Sequence, residues 1–342
     1  MKKSYISLIL VSLLSLPLAA QEDLSTFLVL SYNVENLFDT EDDPETEDEA
    51  FTPKGEKEWT RSRYQDKLES LERVIASVGG DDFPALVGLV EVENRRVLED
   101  LIDRRGLRKA NYRIVHEDSP DPRGIDCALL YRPDQFQYLD HEAIPVKDPV
   151  DPEYRHRFIL HVTGTGPDGK TLHVFVNHWK SRSGGQEETR QKRMFCAITL
   201  RTALDGLFSR ESDPRVILMG DFNDEPTNSS VMNGLSAGNK RKNIRMGEQY
   251  NLFYDLHNAE NQGTYNFQGT WNMLDQIIVS YNLLDPGQGL HTVWDGGRIF
   301  RADWMLYENE SSGLKLPSST YGGPRYFGGP SDHLPVYATF LY

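Results

Sequence analysis

Cysteine is almost missing from this sequence: its 342 residues hold two, Cys127 and Cys196. That scarcity excludes a disulfide-stapled scaffold and a cysteine-built structural metal site. Their neighbours, "DCALLY" and "MFCAIT", read as core strand and core helix. Two buried free thiols and a single disulfide both stay open, since an exported chain can pair its cysteines. Positive charge is also in deficit, with 37 Lys+Arg against 52 Asp+Glu and a formal net charge of −15. So acidic a chain lacks the basic surface that gives non-specific affinity for nucleic acid, which argues against a processive DNA binder. Polyanions would have to be handled locally, by metal ions or a small basic patch.

Long apolar runs are missing too, apart from Ile6 to Leu18. That run follows Lys2 and Lys3 and precedes Ala19-Ala20, the pattern of a secretory leader over residues 1–20 that is too short to span a membrane comfortably. No cysteine follows it to carry a lipid, and no later stretch is long and apolar enough to cross a bilayer. The mature chain, residues 21–342, is therefore expected to be exported to the periplasm or the extracellular space, with no transmembrane segment. Loss of Lys2 and Lys3 takes its formal charge from −15 to −17.

What is present is ordinary globular material, 38% hydrophobic and 11% aromatic, enough for a sizeable core. Internal repeats and linkers are absent, so residues 21–342 read as one domain. The single low-complexity run, Asp39 to Glu49, has eight acids in eleven residues. It reads as a solvated or mobile loop, with cation gathering as the other reading.

Tyr64, Leu68, Leu71, Ile75 and Val78 share a helical face that Gly79-Gly80 ends. "PALVGLVEVEN" reads as a central strand, "VLEDLIDRRGL" as a helix ending near Gly106, and "GIDCALLYRP" as a strand stopped by Pro133. A hairpin folds around "PDGK", a long helix covers "ETRQKRMFCAITLRTALDGLF", and "RVILMG", "LDQIIVS" and "LPVYATFLY" are further strands. Alternating helices with interrupting hairpins predict an α/β fold of two mixed sheets packed face to face with helices outside, a four-layer sandwich.

Polar residues collect where these strands end. "LVLSYNVENLF" delivers Asn33 and Glu35, "LVGLVEVEN" Glu91, "HVFVNHWKSR" Asn177 and His178, "VILMGDFND" Asp221 and Asn223, "TWNMLDQIIV" Asp275, and "GGPSDHLPV" Asp332 with His333. Singly, most are explained as turn formers or strand starts. Glu91 is harder to explain so, because a carboxylate after "LVGLV" is costly to bury without a partner. Together, two histidines, several carboxylates and carboxamides at separate strand ends suit a hard cation and phosphodiester hydrolysis.

In order, "SYNVENLF", "GLVEVEN", "VNHWKSR", "GDFND", "LDQI" and "SDHLP" resemble the six motifs of the endonuclease/exonuclease/phosphatase superfamily, over Leu28 to Tyr342. The resemblance implies a deoxyribonuclease I-like sandwich and a phosphoric ester hydrolase dependent on Mg²⁺, with Mn²⁺ or Ca²⁺ as alternatives. It implies that Glu91 ligates the metal beside Asn33 and Asp332. Asp221 and Asn223 would position water and grip phosphate. Asp332 and His333 would form the carboxylate–histidine pair, the ring of His333 being held by Asp275 or Asp332. His178 would be the second histidine of the deoxyribonuclease I and sphingomyelinase branches, acting as general acid or oxyanion stabiliser.

Selectivity is written less clearly. Asn177, Lys180, Arg182 and Trp271 are the candidate substrate contacts. Lys180 and Arg182, with Arg190, Lys192 and Arg193, either bind a phosphate or start a helix paired with Glu187 and Glu188. The aromatic loops "TYNFQGTWNM" and "YGGPRYFGGP" either stack on a substrate ring or are rigid turns. Arg63 and Lys67 read as surface residues. The expected partner is a phosphoester substrate (nucleic acid, nucleotide or phosphorylated small molecule), with no stable protein partner evident. A phosphodiesterase is the leading reading, a phosphomonoesterase or phospholipase-C-like hydrolase the alternative, and an inactive binding protein on the same scaffold a remote third.

Overall fold

Aliphatic and β-branched runs bounded by turn formers become the strands, and burial on both faces places them centrally. The computed structural model describes residues 25–80, 82–310 and 313–342. The expected leader, residues 1–20, lies outside the described residues. In chain order the strands that matter are β1 (Thr26–Leu37), β2 (Leu86–Val92), β3 (Arg113–His116), β4 (Asp126–Tyr131), β5 (Gln137–Ile144), β6 (Ile159–Thr165), β7 (Thr171–His178), β8 (Val216–Asp221), β9 (Ala237–Gly238), β10 (Gln249–Asn251), β11 (Tyr265–Phe267), β12 (Thr270–Asn272), β13 (Asp275–Ser280), β14 (Gly297–Ile299) and a C-terminal strand, Val336–Leu341. The long helices are α1 (Arg61–Val78), α2 (Arg95–Ile102) and α3 (Gln186–Arg210).

A six-stranded sheet runs β14, C-terminal strand, β1, β2, β4, β3, and a seven-stranded sheet runs β5, β6, β7, β8, β13, β10, β9. In each, one central pair is parallel, β1 with β2 and β7 with β8, between antiparallel neighbours, and the edge pair β9–β10 of the second sheet is parallel too. This is the expected mixed pairing.

Three apolar layers hold the sandwich. Val29, Leu129, Val174, Met219, Ile277 and Phe340 fill the space between the sheets. The outer face of the first sheet buries Leu30 and Tyr32 against Leu68, Leu71 and Ile75 of α1 and Val97, Leu98 and Leu101 of α2. The outer face of the second buries Phe175 and Leu218 against Ala197, Leu200 and Leu204 of α3. Each such aliphatic side chain contributes about 1.5–3 kcal/mol on burial, so register slips are strongly opposed. Gly88 lets the sheets approach: a Cβ there would sit 2.7 Å from Met219 Sδ.

Helix starts follow local capping. Thr60 accepts from the Arg63 amide, and Asn94 accepts from Val97 N. α2 ends at Ile102, earlier than Gly106, and the chain turns through Asp103–Leu107 instead. Cys127 lies between the sheets and Cys196 on the buried face of α3, and both are free thiols. The acidic run is the expected solvated loop over most of its length, residues 41–45, 47 and 49 being exposed. It is pinned at two points: Asp39 and Asp48 are buried, accepting from Glu41 N and Asp43 N as turn anchors. Among the described residues no helix is long and apolar enough to cross a membrane.

Candidate active site

The two central parallel pairs end at the same edge of the sandwich, and their ends carry the polar residues. His178 closes β7 and Asp221 closes β8, directly paired in register, while Asp275 opens β13 opposite Asp221 on its other side. Gly220 is needed here: its φ is +136°, and a Cβ would lie 1.9 Å from Asn177 O. The chain leaves the strand at that point, and Asn223 follows with φ +50°. On the facing sheet Glu91 also takes a left-handed backbone, φ +65°, at the irregular end of the β1–β2 pairing. Strained backbone of this kind gathers where a site over-determines it.

Asp221, only 1% exposed, is the hub. Its Oδ2 accepts from the amides of Asn33 and Asn223, each at 3.1 Å, and its Oδ1 accepts from Asn223 N at 2.8 Å. The Nε2 atoms of two histidines flank the same Oδ2, His178 at 3.7 Å and His333 at 3.9 Å. Burial, then the neighbouring Asp275 charge, pushes the Asp221 carboxyl up to about 6.

The two imidazoles are driven in opposite directions. Burial, joined by the charges of Arg157 and Arg123, holds His178 well below its ordinary value and keeps it neutral. Its Nδ1 is buried without a partner. Burial opposes the charged form of His333 as well, but Asp275, hydrogen-bonded to Nδ1 at 2.7 Å, reverses the balance with help from Asp221 and Asp332. His333 is therefore held as an imidazolium. Its holder is Asp275, which is fully buried with Oδ1 unpartnered. Burial likewise raises the Asp332 carboxyl, with Glu91 and Asp221 adding to the effect against the His333 charge.

His178, Asp221, Asp332 and His333 line one cleft of about 900 Å³ with Glu91, Arg123, Arg157, Arg182 and the β11–β12 hairpin, and Asp275 lies buried behind His333. The donors fit a hard divalent cation. The carboxylates of Glu91, Asp221 and Asp332 face the same space, while Asp275 and His333, whose ligand atoms also lie within 4.8 Å of Asp221, are committed to each other. Asn33 is turned the other way: its Oδ1 accepts from Glu35 N at 3.0 Å, so its amide N–H₂ group faces Glu91 and Asp221. In this arrangement its amide nitrogen is the atom nearest the two carboxylates. Asn223 commits its amide hydrogens to Asp221 and Trp179 O.

The candidate substrate contacts separate. Arg182 lines the cleft, but its guanidinium donates to Asn223 O, Asn272 Oδ1 and Asn228 Oδ1. Asn177 is fully buried and turned inward, donating to Phe175 O and accepting from Trp179 Nε1. Trp271 points away from the cleft, packing on the outer core under Arg301, while its neighbours Thr270 and Asn272 face in. Lys180 is half-buried outside the lining. The rest of that basic cluster is scaffold: Arg193 is buried on Asp224 at 2.7 Å, Lys192 pairs with Asp151 and Arg190 with Glu187.

Several participants escaped sequence reasoning. The Tyr265 ring lies 4.8 Å from that of His333. Arg157 donates to His178 O and Trp179 O and pairs with Asp121 at 2.7 Å. Lys67 is buried, not on the surface, donating to Thr320 Oγ1 and Pro330 O. Glu35 receives the amides of Thr320, Tyr321 and Asp332. A lone lysine on an amphipathic helix or a glutamate in a turn gives no periodic signal that would reveal these roles.

No curated protein sequence matches the chain. Solved structures do. The mannosyl-6-phosphatase of Bacteroides thetaiotaomicron aligns with a TM-score of 0.58 at 17% identity, over 92% of this chain and 100% of that one. TDP2 of D. rerio, complexed with a single-strand DNA product, aligns with a TM-score of 0.56 at 18% identity, over 92% and 99%. The human Nocturnin catalytic domain with a bound sulfate anion aligns with a TM-score of 0.54 at 15% identity, over 93% and 95%. At such identities the likeness is one of fold. The profile of the Endonuclease/Exonuclease/phosphatase family, however, matches residues 28–341. With this fold and these strand-end residues, the chain belongs to the endonuclease/exonuclease/phosphatase family and is a hydrolytic enzyme acting on phosphoric esters.

Proposed function

We propose that this protein is an exported, Mg²⁺-dependent phosphodiesterase. The observation that carries the reading is the placement of Asp221 Oδ2 between the Nε2 atoms of a neutral His178 and a charged His333, at 3.7 and 3.9 Å. Groups whose protonation is driven apart in one cleft mark acid and base roles.

Asp221, with its carboxyl near 6, holds the attacking water and takes its proton near neutral pH. His333, fixed by Asp275, places positive charge against the phosphoryl oxygens as negative charge builds there. His178 faces the departing oxygen as a neutral hydrogen-bonding group. Glu91 and Asp332 would hold the cation, with Asp221 beside them. Mg²⁺ bound there polarises the phosphoryl oxygens, and Mn²⁺ or Ca²⁺ are the alternatives.

Little guanidinium charge is free in the cleft. Arg157 and Arg182 commit their guanidinium groups to scaffold bonds, and Arg123, 47% exposed, donates to Asn36 Oδ1 and lies 3.8 Å from Glu91 Oε2. The His333 imidazolium is then the main fixed cation facing a ligand, which suits a singly charged diester better than a dianionic monoester. Export rests on the leader-like residues 1–20.

The test is a panel of bis-p-nitrophenyl phosphate, p-nitrophenyl phosphate, short single-stranded DNA, plasmid DNA and inositol phosphates, each with Mg²⁺, Mn²⁺ or EDTA. Turnover of diesters with Mg²⁺ and its loss in EDTA is the expected result. Hydrolysis of monoesters alone overturns the diester reading, and undiminished activity in EDTA overturns the metal dependence.

A further inference from the structure

β3 is the outermost strand of the first sheet, and the loop of residues 117–125 leaves its end for β4. The last residue of β3, His116, has an imidazole only 3% exposed, and its Nε2 makes no hydrogen bond. Asp126, the first residue of β4, stands opposite with a side chain 2% exposed. Its Oδ1 accepts from Ser119 N at 2.8 Å, and the hydroxyl of Ser119 is buried without a partner. Asp118 lies on the solvent side, 84% exposed and free to turn, with Oδ1 3.9 Å from His116 Nδ1, and one ligand atom from each of His116, Asp118 and Asp126 lies within 4.8 Å of the others.

The spacing is informative. Where this protein closes a histidine onto a buried aspartate, at His333 and Asp275, nitrogen and oxygen meet at 2.7 Å. Between His116 Nε2 and Asp126 Oδ2 the gap stays at 3.4 Å without hydrogen-bond alignment. Two ligands bound at about 2.0–2.2 Å in tetrahedral arrangement stand about 3.4 Å apart across a Zn²⁺ ion. A buried polar pair normally closes its hydrogen bond. One left open by that separation, with an unpartnered hydroxyl beside it, has the dimensions of a metal site.

We propose that His116, Asp118 and Asp126 form a second metal site, separate from the catalytic cleft and selective for Zn²⁺. One imidazole with two carboxylates suits Zn²⁺ better than the all-oxygen shells of Mg²⁺ or Ca²⁺. None of the three residues lines the cleft. The site spans both ends of the 117–125 loop, so the ion clips that loop to the sheet edge. Two residues of this loop reach the cleft: Asp121 pairs with Arg157 at 2.7 Å, and Arg123 is part of the lining. Zn²⁺ is thus a structural clip that steadies a wall of the catalytic cleft.

The experiment measures Zn²⁺ binding without turnover, so it stands apart from the substrate reading. The double variant Glu91→Gln, Asp332→Asn removes ligands from the cleft. Equilibrium dialysis with Zn²⁺ and hydrogen exchange of residues 117–125 are then compared in this background, with and without His116→Gln or Asp118→Asn. The background protein is expected to keep one Zn²⁺ equivalent and to show slower exchange in the loop when Zn²⁺ is added. Either added substitution is expected to weaken binding by about tenfold or more and abolish the slowing. Asp118 is exposed, so its substitution leaves the fold intact. Unchanged Zn²⁺ affinity in both substituted proteins, or loop exchange indifferent to Zn²⁺, overturns the proposal.

Discussion

Asp275 Oδ2 stands 2.7 Å from His333 Nδ1, and the register that sets Asp275 opposite Asp221 leaves the other ring nitrogen 3.9 Å from Asp221 Oδ2. One imidazole is thus held between two buried carboxylates contributed by neighbouring antiparallel strands. The first fixes the ring, and the second lines the cleft. Packing of β13 against β8 therefore sets the spacing of these groups directly.

Asp275→Asn should keep the fold and lose the chemistry. The amide preserves volume but no longer stabilises the imidazolium, and it favours the wrong ring tautomer. A fall in kcat of about 10²–10⁴ is expected with KM little changed, since the effect belongs to the transition state. The His333 charge should also titrate at lower pH, moving the alkaline limb of the rate profile downward. Steady-state kinetics across pH checks both, and an unchanged profile would remove Asp275 from this role.

Metal dependence should run through Glu91. Its carboxylate is kept in place by Asn36 N at 3.1 Å and by the Asn33 amide at 3.5 Å. Glu91→Gln should raise the Mg²⁺ concentration giving half-maximal rate by about tenfold or more. Asn33→Ala, which removes the amide beside that carboxylate, should raise it less. Mg²⁺ titrations of the initial rate separate the two, and equal shifts would place Asn33 in the ligand set.

The sequence carried the strand ends well and the side-chain directions poorly, for a physical reason. Alternation along a strand says that neighbours point to opposite faces, but not which face meets the cleft. Asn177 and His178 both end β7, and only His178 looks into the site. Trp271 and its neighbours divide in the same way across β12. The mixed two-sheet fold was legible because long apolar runs such as "VILMG" are specific, whereas β3 and the largely exposed β5 carry no such run. Lys67 was misread because a helix face shows periodicity, while the buried carbonyl and hydroxyl that receive its ammonium come from residues about 250 positions away.

Glu35 and Lys67 anchor the segment that carries Asp332 and His333. Glu35 accepts from Asp332 N at 3.0 Å and Thr320 N at 2.6 Å, and Lys67 donates to Pro330 O at 2.7 Å. Losing Glu35 leaves three backbone donors without their acceptor, at about 1–3 kcal/mol each. Glu35→Ala is expected to lower kcat by about 10-fold or more through misplacement of Asp332, and Glu35→Gln to recover part of it. Lys67→Met should act in the same direction. A purely structural role would lower melting temperature without the split between kcat and KM, so kinetics and thermal denaturation are measured together.

Stability should depend on pH through His161, far from the cleft. Its ring stacks on Phe175 with centroids 4.1 Å apart and meets His173 Nδ1 at 3.1 Å. Burial, then the charges of His173 and Arg210 (only partly offset by Asp140), lowers its value from 6.5 to about 4. The unfolded chain therefore takes up a proton between these two values that the folded chain refuses. The contribution is complete above about pH 6.5 and is lost as pH falls toward 4, on the order of 2 kcal/mol by pH 5. His161→Gln cannot be protonated and escapes this loss. Urea denaturation at pH 7 and pH 5 should show the wild type losing more stability than the variant by about that amount, whatever the carboxylates contribute in common. Equal losses in the two proteins would mean that His161 is already protonated in the folded state.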